Sequence, residues 1–145
     1  SLLGRVRMER FDELRDRRVQ WLVEGDAVTA RADSARLEQL FGNLTENALA
    51  AMPDGGTIRI HLSVQPRPDA KEKWVAVRFA ATGSGIPADI QGRIFDPFYT
   101  TKGDKHYGLG LTICAKTADD LGGSLLLEES EPGKTVFLLL LPAEE

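Results

Sequence analysis

Apolar residues recur along this chain with two different periods. Leu37, Leu40, Phe41, Leu44 and Ala48 fall at i, i+3, i+4, i+7 and i+11, which is one face of a long amphipathic helix. Asp33 or Ser34 supplies its N-cap, and Pro53-Asp54-Gly55-Gly56 ends it. A second helical stripe, Leu111, Cys114, Ala115, Ala118 and Leu121, stops at Gly122-Gly123. A period of two marks strands. Ile58, Ile60, Leu62 and Val64 alternate within 57–64, and Trp74 to Phe79 follows after a loop over 66–72. Ser124–Leu127 and Thr135–Leu141 read as the last two strands, joined by the turn Glu131-Pro132-Gly133. Nearer the start, Val19, Trp21 and Val23 alternate, Gly25-Asp26 signals a turn, and Val28–Ala30 reads as a short partner strand. Residues 1–17 are dense in charge with a weak helical stripe through Leu3, Val6, Arg10 and Leu14, so they read as a helix or linker end leading into a domain over 18–145.

This order of helices and hairpins predicts an α+β fold, a two-layer sandwich with helices on one face of a mixed or antiparallel sheet. The stretch from Ala81 to Gly110 is Gly-rich and lacks periodicity. A compact domain keeps so long an irregular segment when it has a use for it.

Composition narrows the function. The chain has 145 residues, 42% of them apolar and 28% charged, enough to bury a single core. Eighteen basic against 22 acidic residues leave a net charge of −4, which argues against a broad basic face for nucleic acid. One Cys rules out an internal disulfide, and His61 and His106 are too few and too far apart for a histidine metal centre. No apolar run reaches the roughly 20 residues of a membrane span, so a cytoplasmic location is expected. The chain starts without Met and is expected to be a fragment of a longer protein, whose membrane status it does not carry.

Four segments hold candidate chemistry. Asn43 and Asn47 share one face of the first long helix, and an amide oxygen there can complete the shell of a Mg²⁺ that keeps several waters. Glu46, between them, is expected to face solvent. Thr82-Gly83-Ser84-Gly85-Ile86-Pro87 follows a strand and permits close backbone approach to a flat or phosphorylated ligand. Phe95-Asp96-Pro97-Phe98-Tyr99-Thr100-Thr101-Lys102 mixes aromatics, hydroxyls and a cation, and Arg93, Lys102 and Lys105 could reach phosphates. Gly108-Leu109-Gly110-Leu111 opens the last helix, whose N-terminal amides suit phosphate. Each segment alone also has an ordinary reading: a capping Asn, a tight turn, aromatics packed under a loop, a Gly chosen for packing. Cys114 reads as a core thiol and His61 as a solvent-side strand residue.

Their order and spacing together resemble the catalytic ATP-binding domain of sensor histidine kinases over about 18–142. The four segments correspond to its N, G1, F and G2 boxes, and Gly133-Lys134-Thr135-Val136-Phe137 looks like its G3 element. Ala50–Gly56 resembles the nitrogen-regulator-like branch. The resemblance implies a Bergerat-type fold that binds ATP and Mg²⁺. Asn47 would hold the metal. Position 81, Gly83, Gly85 and Ile86 would line the adenine pocket, with Thr135 beside it. Arg93–Tyr107, including Phe95, Thr101, Lys102 and Tyr107, would form the ATP lid, with Lys102 near the terminal phosphate and mobility expected from about Pro97 to Tyr107. Amides of Gly108, Leu109 and Gly110, leading into Leu111, would bind phosphate oxygens. Asn43 stands where hydrolysing members of the wider fold tend to carry a water-activating Glu. An amide takes no proton at neutral pH, so phosphotransfer is expected rather than hydrolysis. The implied partners are a dimerisation domain bearing the phosphoacceptor His and a response regulator receiver domain. Neither His61 nor His106 has the setting of that acceptor, and this chain alone is expected to be monomeric.

Two departures stand out. The G1 pattern begins with Asp, whose carboxylate accepts from the adenine amino group, and here the slot is Ala81. With the other boxes intact, a replaced or recently lost Asp and weakened nucleotide binding is one reading. A natural pseudokinase acting as an interaction module, or a site retuned to another ligand, is the alternative, and an ATP hydrolase of the same fold is a third. The G2 box also has His106 where its first Gly is common.

Overall fold

The computed structural model describes residues 1–68, 72–96 and 105–144, and the side chains of 105–109 lie outside the described set. The elements are α1 (Leu2–Glu9), α2 (Phe11–Asp16), β1 (Val19–Gly25), α3 (Ser34–Ala50), β2 (Gly56–Pro66), β3 (Lys73–Ala81), a 3₁₀ turn (Gln91–Arg93), α4 (Lys105–Asp120), β4 (Ser124–Glu131) and β5 (Lys134–Pro142). The strands form one sheet in the order β1-β2-β3-β5-β4. Only β1–β2 is parallel; the other pairs are antiparallel. This is the α+β two-layer arrangement, with a mixed and mostly antiparallel sheet against helices.

The alternation of each strand decides which residues reach the helices. Ile58, Ile60, Val75, Val77, Phe79, Leu139 and Leu141 are buried together with Leu40, Leu44 and Leu49 of α3 and Leu111, Cys114 and Ala118 of α4 in one cluster. Asp33 caps α3 by accepting from the amides of Ala35 (2.9 Å) and Arg36 (3.3 Å). Arg36 then reaches Asp120 on α4 at 2.9 Å, and its guanidinium holds the Asp120 carboxyl below its usual range. That contact ties the start of one layer helix to the end of the other. Glu131-Pro132-Gly133-Lys134 turns β4 into β5 with Gly133 at φ +94°, as a Pro-Gly turn requires.

Two expectations need revising. Val28–Ala30 does not pair with β1; Ala30 makes an isolated bridge to Ala143 instead. The reason is local: Gly25 takes φ +105°, and the Asp26 amide donates to Leu62 at 2.9 Å, so the chain stays against β2 rather than folding back. α4 begins at Lys105, before the Gly108–Gly110 run, so that run lies inside the helix. The helical reading of 1–17 holds: the segment forms two helices, and Val6 and Leu14 of its stripe join the central core. The mobility expected from Pro97 to Tyr107 falls mainly on 97–104, outside the described residues. Among the described residues no helix is long and apolar enough to cross a membrane.

The buried helix–sheet interface and the open face of the sheet should answer differently to truncation. Leu40→Ala, at a site 1% exposed, should destabilise by about 2–5 kcal/mol. Leu126→Ala, at a site 48% exposed on the open face, should stay within about 0.5 kcal/mol. Denaturant midpoints at unchanged slope check both.

Candidate functional site

The apolar stripe that seats α3 on the sheet also decides where its polar residues go. Leu44 and Ala48 face the core, and Asn47 lies beside them at 7% exposure. Its Nδ2 is buried and has no hydrogen-bond partner. An unpaired polar atom at that depth is costly and points to a missing polar partner.

Asn47 forms part of the wall of a cavity of ≈30 Å³. The other walls are Leu44 and Ala48 of α3 and Ala51 at its C-cap, Phe79 and Ala81 at the end of β3, Gly83, Gly85 and Ile86, Leu111 of α4, and Thr135 and Phe137 of β5. The floor is a seam between β3 and β5, where Ala81 pairs with Thr135 and Phe79 with Phe137.

The loop after β3 is pinned on three sides. Thr82 exchanges bonds with Thr57 of β2, at 3.0 and 2.9 Å. Ser84 donates to Ala51 at the end of α3, at 3.3 Å. On the third side, Gly133 donates to Gly83 (2.7 Å) and the Ile86 amide donates to Ser130 Oγ (2.8 Å). Gly85 sits at φ +81°, and a Cβ there would lie 2.6 Å from the Glu131 carbonyl oxygen, so only Gly fits. Gln91 closes the loop from beneath by donating to the carbonyls of Ile86 (2.8 Å) and Ser130 (3.2 Å).

The electrostatics are sparse. Among the described residues no carboxylate lines the cavity. The Thr135 hydroxyl is already engaged with Ser130 Oγ at 2.8 Å, which leaves Asn47 as the lining side chain with an unspent polar atom. No cluster of three or more His, Cys, Asp or Glu suited to a metal occurs among the described residues. An all-protein metal cage is therefore not formed there. A Mg²⁺ that takes one protein oxygen and completes its shell with water and phosphate fits the Asn47 carboxamide, whose two ends exchange by rotation.

The structure brings Asn47, Ala81, Gly83, Gly85, Ile86, Leu111 and Thr135 to one cavity. Gly110 lies against Asn47, and a Cβ added there would stand 3.5 Å from Nδ2. Phe95 stands behind the wall, edge-on to Phe137 with centroids 6.2 Å apart, and Thr112 of α4 donates to the carbonyls of Phe95 (3.2 Å) and Asp96 (3.0 Å). Asn43 is not in the wall; its amide hydrogen-bonds the Cys114 thiol between α3 and α4. Glu46 faces solvent and pairs with Arg10 at 3.4 Å. Thr101 and Lys102 lie outside the described residues. Tyr107, Gly108 and Leu109 are placed only as α4 backbone. The free N–H groups of a helix are those of its first turn, here around Lys105–Tyr107 rather than 108–110.

Sequence reasoning missed the pins. Ser130 and Gln91 hold the Gly83–Ile86 loop, but neither lies in a motif. The adjacency of Ser130 and Thr135 across the Pro132-Gly133 turn was the available signal, since residues flanking a tight turn pair across it.

The histidine kinase-, DNA gyrase B- and HSP90-like ATPase family matches residues 32–145. Sensor kinase CckA of Brucella abortus (strain 2308) is 38% identical over 128 residues, 81% of this chain. The chain spans 13% of that relative's length. The catalytic domain of histidine kinase ThkA, in a nucleotide-free form, superposes with a TM-score of 0.81 at 31% identity, covering 97% of this chain and 91% of that one. Histidine kinase ThkA in complex with response regulator protein TrrA gives 0.75 at 30% identity, covering 99% of this chain and 40% of that one.

Burial pushes the Cys114 thiol up to about 12, a rise only partly offset by the hydrogen bond from Asn43. The unfolded chain ionises this thiol near 9.0 and the folded chain does not. The stabilisation is therefore complete below pH 9.0 and is lost as pH climbs toward 12. Unfolding free energy should fall over that window more steeply in this chain than in Cys114→Ala. The native thiol should also resist an aromatic disulfide reagent at pH 8 until denaturant is added, because the thiolate is the nucleophile.

Proposed function

The chain belongs to the histidine kinase-, DNA gyrase B- and HSP90-like ATPase family and is the ATP-binding catalytic domain of a sensor histidine kinase, and from that premise we propose that it binds Mg·ATP and offers the γ-phosphate to a His on a separate dimerisation domain. The observation that carries this reading is the unpartnered Asn47 amide at the wall of the cavity. Asn47 would hold magnesium there, and the ion would supply the charge neutralisation that is the main requirement of phosphoryl transfer.

The chain's own residues would bind and orient. Asn47 holds the metal. Gly83 and Gly85 bring backbone within reach of the base, and Ile86, Leu111 and Phe137 exclude water around it. The first turn of α4 offers free amides and a positive dipole end to the phosphates; amides at Gly108–Gly110 serve only if that turn opens. By resemblance, Lys102 is assigned to the terminal phosphate and Thr101 to the nucleotide lid. Asn43 can neither take nor activate a water proton, which favours an outside acceptor over water. A cytoplasmic location, a response regulator as the next phosphate carrier, and the nitrogen-regulator-like branch belong to the same reading. The first partner finds support in the TrrA complex of ThkA, and the branch rests on Ala50–Gly56 alone.

Ala81 weakens this site. A hydrogen bond to a charged acceptor contributes about 1.5–3 kcal/mol, roughly ten- to a hundredfold or more in affinity. A cavity of ≈30 Å³ also holds only a water or two, so its walls must part to admit a purine. That small, carboxylate-free cavity favours a second reading, a module that has kept the fold for interaction and lost the nucleotide.

Calorimetric titration with Mg·ATP separates the two. Ala81→Asp should bind at least about tenfold more tightly than this chain, and Asn47→Ala in that background should lose the gain. Absence of any recovery supports the interaction module. Phosphate release by Ala81→Asp without an acceptor domain supports a hydrolase.

A further inference from the structure

The sheet has two free edges, and they are treated differently. The β4 edge carries Glu128, Glu129 and Glu131 and a register shift between Leu127 and Glu129. Charges and a bulge of this kind keep another strand from adding. The β1 edge, Val19-Gln20-Trp21-Leu22-Val23-Glu24-Gly25, has no Lys, Arg, Pro or bulge. Leu22 is 40% exposed and Val23 46%. An apolar cavity of ≈520 Å³ opens beside Trp21 and Val23.

Backbone hydrogen bonds at both ends of the strand settle which backbone groups are spare. Gly56 donates to the Arg18 carbonyl (3.3 Å) and Asp26 donates to the Leu62 carbonyl (2.9 Å). Even-numbered residues therefore face β2. Since successive residues of a strand turn their N–H and C=O to opposite sides, Val19, Trp21 and Val23 direct theirs outward along the free edge.

We propose that this edge pairs with the same edge of a second copy, antiparallel about a two-fold axis at Leu22. Centring on Leu22 overlaps the whole strand. Trp21 then faces the partner's Val23 as a hydrogen-bonded pair that exchanges both N–H···O bonds between outward-facing groups. Leu22 meets its own copy as a close, non-hydrogen-bonded pair. Gln20 opposes Glu24, which keeps the two Glu24 carboxylates apart. Aromatic–β-branched and apolar cross-strand pairs of this kind stabilise antiparallel neighbours. A single strand is self-complementary here, as a two-fold interface requires. The monomer expected from sequence considered only the dimerisation helices, and this contact is independent of them and of the nucleotide site.

Sedimentation equilibrium of the chain over a wide concentration range tests the pairing, with Leu22→Cys and Leu22→Lys as probes. The proposal expects a reversible monomer–dimer equilibrium. Leu22→Cys should cross-link to itself under mild oxidation, at least tenfold faster than Val64→Cys, an equally exposed position off the edge (41%). Leu22→Lys, which sets like charges face to face, should weaken association at least tenfold with an unchanged melting temperature. A chain that stays monomeric at every concentration overturns the proposal. So does a dimer that survives Leu22→Lys and whose Leu22→Cys form cross-links no faster than the Val64→Cys control.

Discussion

Burial of one stripe of α3 against the sheet is the constraint on which the rest of the structure depends. A helix whose Leu40, Leu44 and Ala48 must face Phe79 and its neighbours has no rotational freedom left. Asn47 is therefore carried to the edge of that contact and kept there, with no partner among the described residues for its amide nitrogen. The same seating puts Asn43 one turn earlier, between the two helices, where the Cys114 thiol meets it. Two asparagines that share a face in the linear pattern thus come to serve different surroundings.

The second constraint is the pinning of the loop after β3. Its glycines allow close approach, but the loop is not loose. Thr57, Ala51, Ser130, Gly133 and Gln91 all hold it. A rigid loop of this kind gives a ligand a preformed wall on one side. The cavity is narrow because Leu44, Phe79, Ile86 and Phe137 close on one another where no polar group stands between them.

The strands, the two long helices and most of the cavity wall could be read from the chain because each rests on local periodicity. Ile58 to Val64 and Leu37 to Ala48 could hardly be mistaken. The motif segments likewise located Asn47, Gly83, Gly85 and Ile86. What could not be read depends on long-range choices. Val19–Val23 alternates equally well for any partner, and only Gly25 and the Asp26–Leu62 bond commit it to β2 in parallel. The start of α4 escaped because Gly is tolerated within a helix at modest cost, so Gly108 did not mark a boundary. Val6 and Leu14 were legible as a weak helical stripe, but their docking in the central core was not, because the arginines and acids around them in sequence dilute the apolar face.

The position of the cavity floor carries a kinetic consequence. Each antiparallel hairpin, β2–β3 and β4–β5, closes over a short connection and can form early. The floor lies on neither hairpin but on the junction between them, where Ala81 meets Thr135 across more than a third of the chain. Loop closure over that distance comes late. A chain with both hairpins made and the junction open has secondary structure but no pocket. Any ligand that binds there draws its grip from the slowest contact to assemble, and holds that contact shut by mass action.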